Sequence, residues 1–408
     1  MAFYVSSVSL RHVRSFRKQL DLTIRLGSGS SGPRMRTFVI GENGTGKTTL
    51  LRAIAVGLAD EKDASGLLAE PTGQFVSEGS HEARIEIELS SSEGRGSDRK
   101  LTTSIKSENG QDVLSSKEPK NFPSGYLVCG YGISRANEGS DSPRTYRVLD
   151  SVYSLFQYEH SLIQTELTLR RLSDFLGDEW YPPALDRIKE ALGLESTDTI
   201  TLSKGGGVRV SGPRIGKDIP LEGWADGYRK TLAWILDLYA WAMRAGCITP
   251  SGDVTGIVLL DEIEQHLHPS MQVGLPSRLS KLLPHAQIIA TTHSPMIALG
   301  AAPHELVVLK REGDSVVAHE SVRDFHGYSV EDMLVDPKLF DSAVYGPEVN
   351  EKLARYRELA SKPPAHRSPQ EQSDLQNLGS ELASHEIPEL HENPILRELQ
   401  TILKKHNL

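Results

Sequence analysis

The stretch Thr37-Phe38-Val39-Ile40-Gly41-Glu42-Asn43-Gly44-Thr45-Gly46-Lys47-Thr48-Thr49 decides the fold. An apolar run of strand character leads into G-x-x-x-x-G-K-[ST], and Leu50, Leu51, Ile54, Ala55 and Leu58 follow at helical spacing. Strand, loop and helix in that order are the context in which this motif cradles phosphate. The glycines let backbone N–H groups curl around phosphate oxygens, and the helix start adds the positive end of its dipole. Lys47 is expected to reach the β- and γ-phosphates and the Thr48 hydroxyl to ligate Mg²⁺, with ATP as the ligand.

A second element completes the expectation. Ile257-Val258-Leu259-Leu260-Asp261-Glu262 is a buried strand that delivers two carboxylates to its C-terminal end, the edge at which open α/β sheets bind ligands. Asp261 is expected to hold Mg²⁺, and Glu262 to orient and deprotonate the attacking water. Ile288 to Pro295 repeats the arrangement with His293 in place of an acid, a neutral imidazole suited to the γ-phosphate or the water. The bland alternative for His293 is a satisfied core or surface histidine. His266 and His268, near Asp261, Glu262 and Glu264, raise a Zn²⁺ or Mn²⁺ site as a competing reading, which a plain turn ahead of Pro269 explains as well.

Composition narrows the class. The 408 residues carry 45 Lys+Arg against 54 Asp+Glu, and a net charge of −9 gives no global attraction to nucleic acid. Binding of DNA or RNA therefore needs a local patch. Arg11, Arg14, Arg17 and Lys18, with His12, are the candidates, against a solvated strand edge as the alternative. The two cysteines, Cys129 and Cys247, lack metal-ligand spacing and suit a reducing cytoplasm. No apolar stretch approaches the roughly 20 residues of a membrane span, so a cytoplasmic protein without a membrane partner is expected.

Along the chain, residues 3–26 alternate as strands, and Gly27 to Gly32 separate them from the phosphate loop. Residues 83–89 and 101–105 predict an antiparallel hairpin. The run Tyr126 to Cys129 predicts a strand whose continuation, Tyr131 to Arg135, lines the site. Residues 150–193 predict helix with a break at Trp180-Tyr181-Pro182-Pro183, and no heptad is sustained. Residues 199–202 and 208–210 predict a short hairpin, Asp226-Gly227 opens a strong helix, and residues 305–310 and 315–319 pair about Glu312-Gly313-Asp314. The fold class is α/β: a P-loop NTPase with a mixed sheet core, an antiparallel β subdomain, a helical lobe and a C-terminal helical extension. The division expected is 1–150 (N-terminal ATPase lobe), 151–225 (helical lobe), 226–327 (C-terminal ATPase lobe) and 328–408 (helical extension, for partner or oligomer contact).

These motifs, in this order, resemble the ABC-class ATPases of the SMC and RecF type over roughly residues 1–330. The loop with Asn43 matches that class's Walker A, and Asp261-Glu262 its Walker B with catalytic glutamate. The segment Ile263 to Pro269 is similar to the D-loop, and His293 to the switch histidine. Leu221 to Arg229 sits where the signature belongs. The resemblance implies that Gly41, Asn43, Gly44, Thr45, Gly46, Lys47, Thr48 and Thr49 hold ATP in one subunit while Ala225, Asp226 and Gly227 of a second copy close over it, giving a homodimer or a higher oligomer. Ala225 replaces the usual signature serine, which removes a hydroxyl contact and implies slow hydrolysis. Gln74 and Gln157 are the nearest candidates for the Q-loop glutamine. The wording of 261–269, 226–229 and 327–332 is most similar to compact ATPases of bacterial antiphage systems such as the Septu type, which implies a separately encoded nuclease or other effector.

Two alternatives stand beside an ATP-driven dimeric switch: a DNA-binding clamp in repair or recombination, and a nucleotide-sensing scaffold. For the scaffold, Ile395, Leu396, Leu399, Ile402 and Leu403 would supply a helical docking face, or pack on the same chain. Residues 321–408 carry no nuclease constellation, so any cutting is expected of a partner.

Overall fold

The computed structural model describes residues 3–24, 34–70, 75–91, 99–119, 126–134, 139, 145–203, 207–325, 327–342 and 345–383. Gly27 to Gly32, Gln74, Arg135 and the apolar set from Ile395 to Leu403 lie outside them.

In chain order the elements are β1 (Phe3–Arg11), β2 (Leu20–Thr23), β3 (Arg36–Gly41), α1 (Lys47–Leu58), α2 (Glu61–Leu68), β4 (Glu82–Ser91), β5 (Arg99–Glu108), β6 (Gln111–Glu118), β7 (Val128–Tyr131), α3 (Val148–Val152), α4 (Thr165–Ala191), β8 (Thr199–Leu202), β9 (Val208–Gly212), β10 (Gly216–Pro220) and α5 (Asp226–Ala245). The chain continues with β11 (Gly256–Leu260), α6 (Pro269–Gln272), α7 (Leu275–Leu282), β12 (Ala286–Thr291), α8 (Pro295–Gly300), β13 (Leu306–Glu312), β14 (Ser315–Ser321), α9 (Val330–Val335), α10 (Pro347–Ser361) and α11 (Pro369–Ala383).

The central sheet runs β14-β13-β3-β12-β11-β7. Its pairs are parallel except β13 with β14. Strands buried on both faces need apolar side chains on both, so β11 and β12 are buried at every position instead of alternating. Phe38, Val258 and Ile288 face one core with α5; Val39, Ile257, Leu259 and Ile289 face the other with α1. The α1 side chains Leu50, Leu51, Ile54 and Leu58 are fully buried, each stabilising the fold by about 1.5–3 kcal/mol.

The antiparallel sheet, β2-β1-β4-β5-β6, joins the strands predicted within residues 3–26 to the predicted hairpin β4-β5 and adds β6, and the small sheet β10-β9-β8 likewise gains β10. Both extra strands are short of apolar alternation: β6 is mostly exposed and β10 carries Gly, Lys, Asp and Pro. Buried Gln287 stitches the two large sheets together. Its Oε1 accepts from Val5 N at 2.8 Å, and its Nε2 donates to Val5 O and Arg34 O, both at 2.8 Å.

The predicted break in α4 is displaced. The helix turns at Gly177, with φ 65° and ψ −174°, and Pro182 and Pro183 sit within the segment that restarts after it. Glycine reaches that conformation without a Cβ clash, so the chain bends there instead of at the prolines.

Two compact units emerge: Met1–Met333 with Lys338–Phe340, and Leu334–Pro337 with Asp341–Leu408. In the second, α10 and α11 pair through Leu353 and Leu382, and Lys352 lies between Glu348 and Glu381 at 2.9 and 3.1 Å. Among the described residues no helix is long and apolar enough to cross a membrane.

Candidate functional site

The loop between β3 and α1 is held by its own backbone and by the turn after β1. Thr45 Oγ1 donates to Glu42 O at 2.8 Å, closing the loop on itself. Gly46 has φ 92°, and a Cβ there would lie 2.4 Å from Ser15 Oγ and 2.9 Å from the Phe16 ring. Both the conformation and the space demand glycine. Lys47 Nζ curls over the loop and donates to Gly41 O at 2.7 Å and Glu42 O at 2.9 Å. Burial lowers its pKa, opposed by Asp261, Glu262, Glu264 and Glu42.

Residues remote in sequence meet this loop because β11 and β12 are parallel neighbours ending at the same edge. Asp261 follows β11, donates its N–H to Tyr131 O at 2.8 Å and is buried. Its Oδ2 accepts from Thr48 Oγ1 at 2.7 Å, and its Oδ1 from Thr291 Oγ1 at 2.6 Å. Thr291 Oγ1 also accepts from Glu262 N at 2.8 Å, so one hydroxyl fixes both acidic residues. Glu262 sits at φ 45°, an uncommon conformation for a residue with a Cβ and one that recurs at functional sites.

His293 is placed by its backbone. Its N–H donates to Glu264 Oε1 at 2.6 Å, and its Nε2 lies 3.9 Å from Glu262 Oε1. Burial, and then the Lys47 charge, lower its pKa and so favour the neutral ring, while Glu264 and Asp261 oppose them. Thr292 N donates to Val39 O at 3.0 Å, tying this strand end to the one that carries the loop.

Asn43, Gly44, Gly46, Lys47, Thr48, Thr49, Asp261, Glu262 and His293 together line a cleft of about 360 Å³, within the usual range for a small-molecule site. Gly41 and Thr45 shape the loop from behind. Ala225, Asp226 and Gly227 are not among the residues lining this cleft. Ala225 is the N-cap of α5 and offers no capping side chain; Asp226 pairs with Arg229 at 2.5 Å and Lys230 at 3.5 Å. A Cβ on Gly227 would come 2.2 Å from His266 O, so this glycine lets α5 press onto the segment after Glu262. Trp224 and Tyr228 stack at 4.9 Å beside it.

The basic cluster divides. Arg14 joins the cleft, its guanidinium 5.8 Å from the centre of the Phe75 ring. Arg11 is exposed, Arg17 lies 3.6 Å from Glu78, and Lys18 lies 3.5 Å from Asp314. Tyr131, expected to line the site, turns its side chain inward and donates to Asp237 Oδ2 at 2.9 Å; Gly132 and Ile133 take the place by Thr48. Gln157 lines that same recess beside Thr48 and Asp261 and donates to Glu70 at 2.5 Å. The His266-x-His268 pair is drawn apart: His266 Nε2 lies 3.5 Å from Lys230 Nζ, while His268 accepts from Ser270 N. Among the described residues no group of three His, Cys, Asp or Glu is placed to hold a metal ion.

Sequence reasoning left Thr291, Arg14 as a cleft residue, and Arg311 without roles at this site. Arg311 Nη2 donates to Gly44 O at 3.3 Å. Thr291 had a signal, since it ends the strand that precedes His293; Arg14 arrives from the turn after β1 and Arg311 from near the end of β13, and neither had one.

The family described as "AAA domain, putative AbiEii toxin, Type IV TA system" matches residues 36–299. Septu protein PtuA of Bacillus mycoides (strain KBAB4) is 24% identical over 395 residues, covering 94% of this chain and 51% of that protein. The Retron Ec83 probable ATPase of Escherichia coli is 31% identical over 171 residues, covering 40% of this chain and 29% of its own length. The chain thus spans about half the length of that Septu protein, and less of the retron one. A Pyrococcus furiosus Smc head domain with an extended coiled coil, bound to the C-terminal domain of ScpA, aligns with a TM-score of 0.47 at 13% identity, over 78% of this chain and 96% of that one.

Proposed function

The chain belongs to the AAA-domain family described as putative AbiEii toxin, Type IV TA system, and on that premise we propose that it is an ATP-binding and ATP-hydrolysing dimeric switch of a bacterial defence system. The observation that carries the reading is the Thr48–Asp261 hydrogen bond of 2.7 Å, which joins the phosphate loop to the acidic strand end across 213 residues of chain.

The donor set fits the nucleotide and its metal. Thr48 and Asp261 are hard oxygen donors side by side, the kind Mg²⁺ prefers, and would hold it. The ion, when bound, neutralises phosphate charge. Lys47 exchanges two neutral carbonyl acceptors for anionic phosphate oxygens, a stronger charge-assisted bond. The loop N–H groups and Asn43, Gly44 and Thr49 surround the phosphates, and Arg14 adds a cation from the opposite wall. Glu262 orients the water and takes its proton. His293, neutral and within reach of Glu262, holds the water or the γ-phosphate in place.

A second copy supplies Ala225, Asp226 and Gly227. Their position outside the cleft of their own chain supports a composite site, as does the resemblance to SMC-type heads. The α5 N-terminus would face the γ-phosphate through its backbone alone, since Ala225 has no hydroxyl, and hydrolysis is slow for that reason. The likeness to the Septu and retron proteins supports the defence role; a separately encoded nuclease as effector and the cytoplasm as the place of action are parts of the same proposal.

Glu262→Gln keeps the side-chain size and removes the base. With ATP and Mg²⁺ it should accumulate as a dimer on size-exclusion chromatography while wild type cycles. A variant that binds ATP yet stays monomeric at saturation refutes the switch.

A further inference from the structure

The reverse side of the strand beside the phosphate loop carries a second cavity, of about 390 Å³. Strand β13 pairs with β3 so that Leu309 faces Gly41, and Arg311 reaches Gly44 O at 3.3 Å. Alternation along the strand turns Val308 and Lys310 to the other side, where they line the cavity with β14 and the segment after it.

Its lining has two chemistries. Val308 (2% exposed) and Leu339 (5%) form an apolar floor, and Val322 (62%) stands at the mouth. Lys310, Arg323 and Lys338 bring cations from three separate segments. Among the described lining residues Glu320 is the one carboxylate, and it is engaged: it pairs with buried Arg34 and lies 3.8 Å from His304 Nδ1. His319 adds a flat ring at one wall, 3.4 Å from Glu312.

We propose that this cavity is a second ligand site, for a nucleoside monophosphate. Three cations in the lining of one cavity suit a phosphate, which carries close to two negative charges, better than a single carboxylate. The volume far exceeds an inorganic anion and lies in the range of small-molecule sites, and the apolar floor gives a base or sugar a surface to cover. The site is separate from the ATP cleft and does not depend on the function proposed for it.

The test uses AMP as the probe on the full chain, in EDTA and in a Lys47→Ala background that silences the phosphate loop. Calorimetry should show one equivalent bound. Arg323→Glu with Lys338→Glu should weaken binding by roughly tenfold or more, since it sets repulsion in place of charge-assisted bonds. Val322→Trp, which fills the mouth without altering charge, should do the same, and it serves if the double reversal fails to fold. Both sets, placed in the wild-type background, should bind ATP with Mg²⁺ as wild type does. Absence of AMP binding at millimolar concentration, or binding that survives both sets of substitutions, overturns the site.

Discussion

Lys117 gives a stability prediction whose sign follows from the structure. It lies on β6, is 4% exposed, and aims its ammonium at the end of α1, the helix that starts with Lys47. Nζ donates to Gly57 O at 2.9 Å, Val56 O at 3.1 Å and Thr103 Oγ1 at 2.8 Å. All three acceptors are neutral. Burial therefore pushes the pKa down from 10.5 to about 7, with only Asp60 opposing. Because the folded-state pKa lies below the unfolded one, the unfolded chain holds one more proton between those values. Stability then rises with pH across that window, by about 1.4 kcal/mol per pH unit. From pH 7 to pH 9 the Lys117 contribution changes by roughly 2–3 kcal/mol, less the half-titration at the lower end. Lys117→Met removes the titration while keeping the length of the stem. Urea unfolding of both proteins at pH 7, 8 and 9 should give a wild-type minus variant difference that grows in favour of wild type as pH rises. A difference constant to within about 0.5 kcal/mol would mean that the ammonium keeps its solvent and its ordinary pKa.

Three further outcomes follow from named contacts. Ala225→Ser supplies the missing N-cap of α5 and should stabilise the chain by about 0.5–1 kcal/mol in thermal unfolding; steady-state phosphate release should rise several-fold if the hydroxyl also meets the nucleotide. Thr291→Val keeps the shape of the side chain but strands Asp261 Oδ1 and Glu262 N, costing about 1–3 kcal/mol; ATP turnover should fall while ATP affinity changes little. Arg11, Arg17 and Lys18 are the exposed remainder of the basic cluster, so changing all three to Ala should lower DNA affinity and flatten its salt dependence if that surface binds phosphate; filter binding at two salt concentrations measures both, and unchanged affinity removes the surface from consideration.

Legibility in the sequence tracked burial and local pattern. The apolar runs of β3, β11 and β12 are buried on both faces, so nothing masks their strand character. Edge strands gave little signal: β6 and β10 owe their conformation to pairing with β5 and β9, which composition alone does not report. The break in α4 was misplaced because two prolines outweigh one glycine as punctuation, yet at Gly177 the backbone takes a conformation that the residues around it avoid. Residues that line the cleft were readable wherever a strand end carried them, as at Asp261, Glu262 and His293. Arg14 was read as part of a surface patch because a cation after an edge strand looks solvated; the turn at Val13 to Phe16 folds it into the cleft instead.

The hydrogen bonds at the sheet edge also say why these residues should act together. Thr48 reaches Asp261, Asp261 reaches Thr291, and Thr291 reaches the Glu262 amide. Glu264, two residues on, holds the His293 amide, and Gly227 rests on the carbonyl of His266. The stretch from Asp261 to His266 is therefore anchored at one end to the phosphate loop and at the other to the start of α5. Its left-handed residues, Glu262 at φ 45° and His266 at φ 69°, lie between these two anchors, and such conformations persist where the surroundings over-determine them. A displacement of α5, such as engagement by a second copy would impose, has a short covalent path to the carboxylate proposed to activate water. Gly227→Ala tests that path while leaving the cleft of its own chain untouched: the added methyl must push α5 or the His266 carbonyl aside. It should lower ATP turnover while leaving ATP binding by the isolated chain intact, and a loss of ATP binding instead would place the effect on folding.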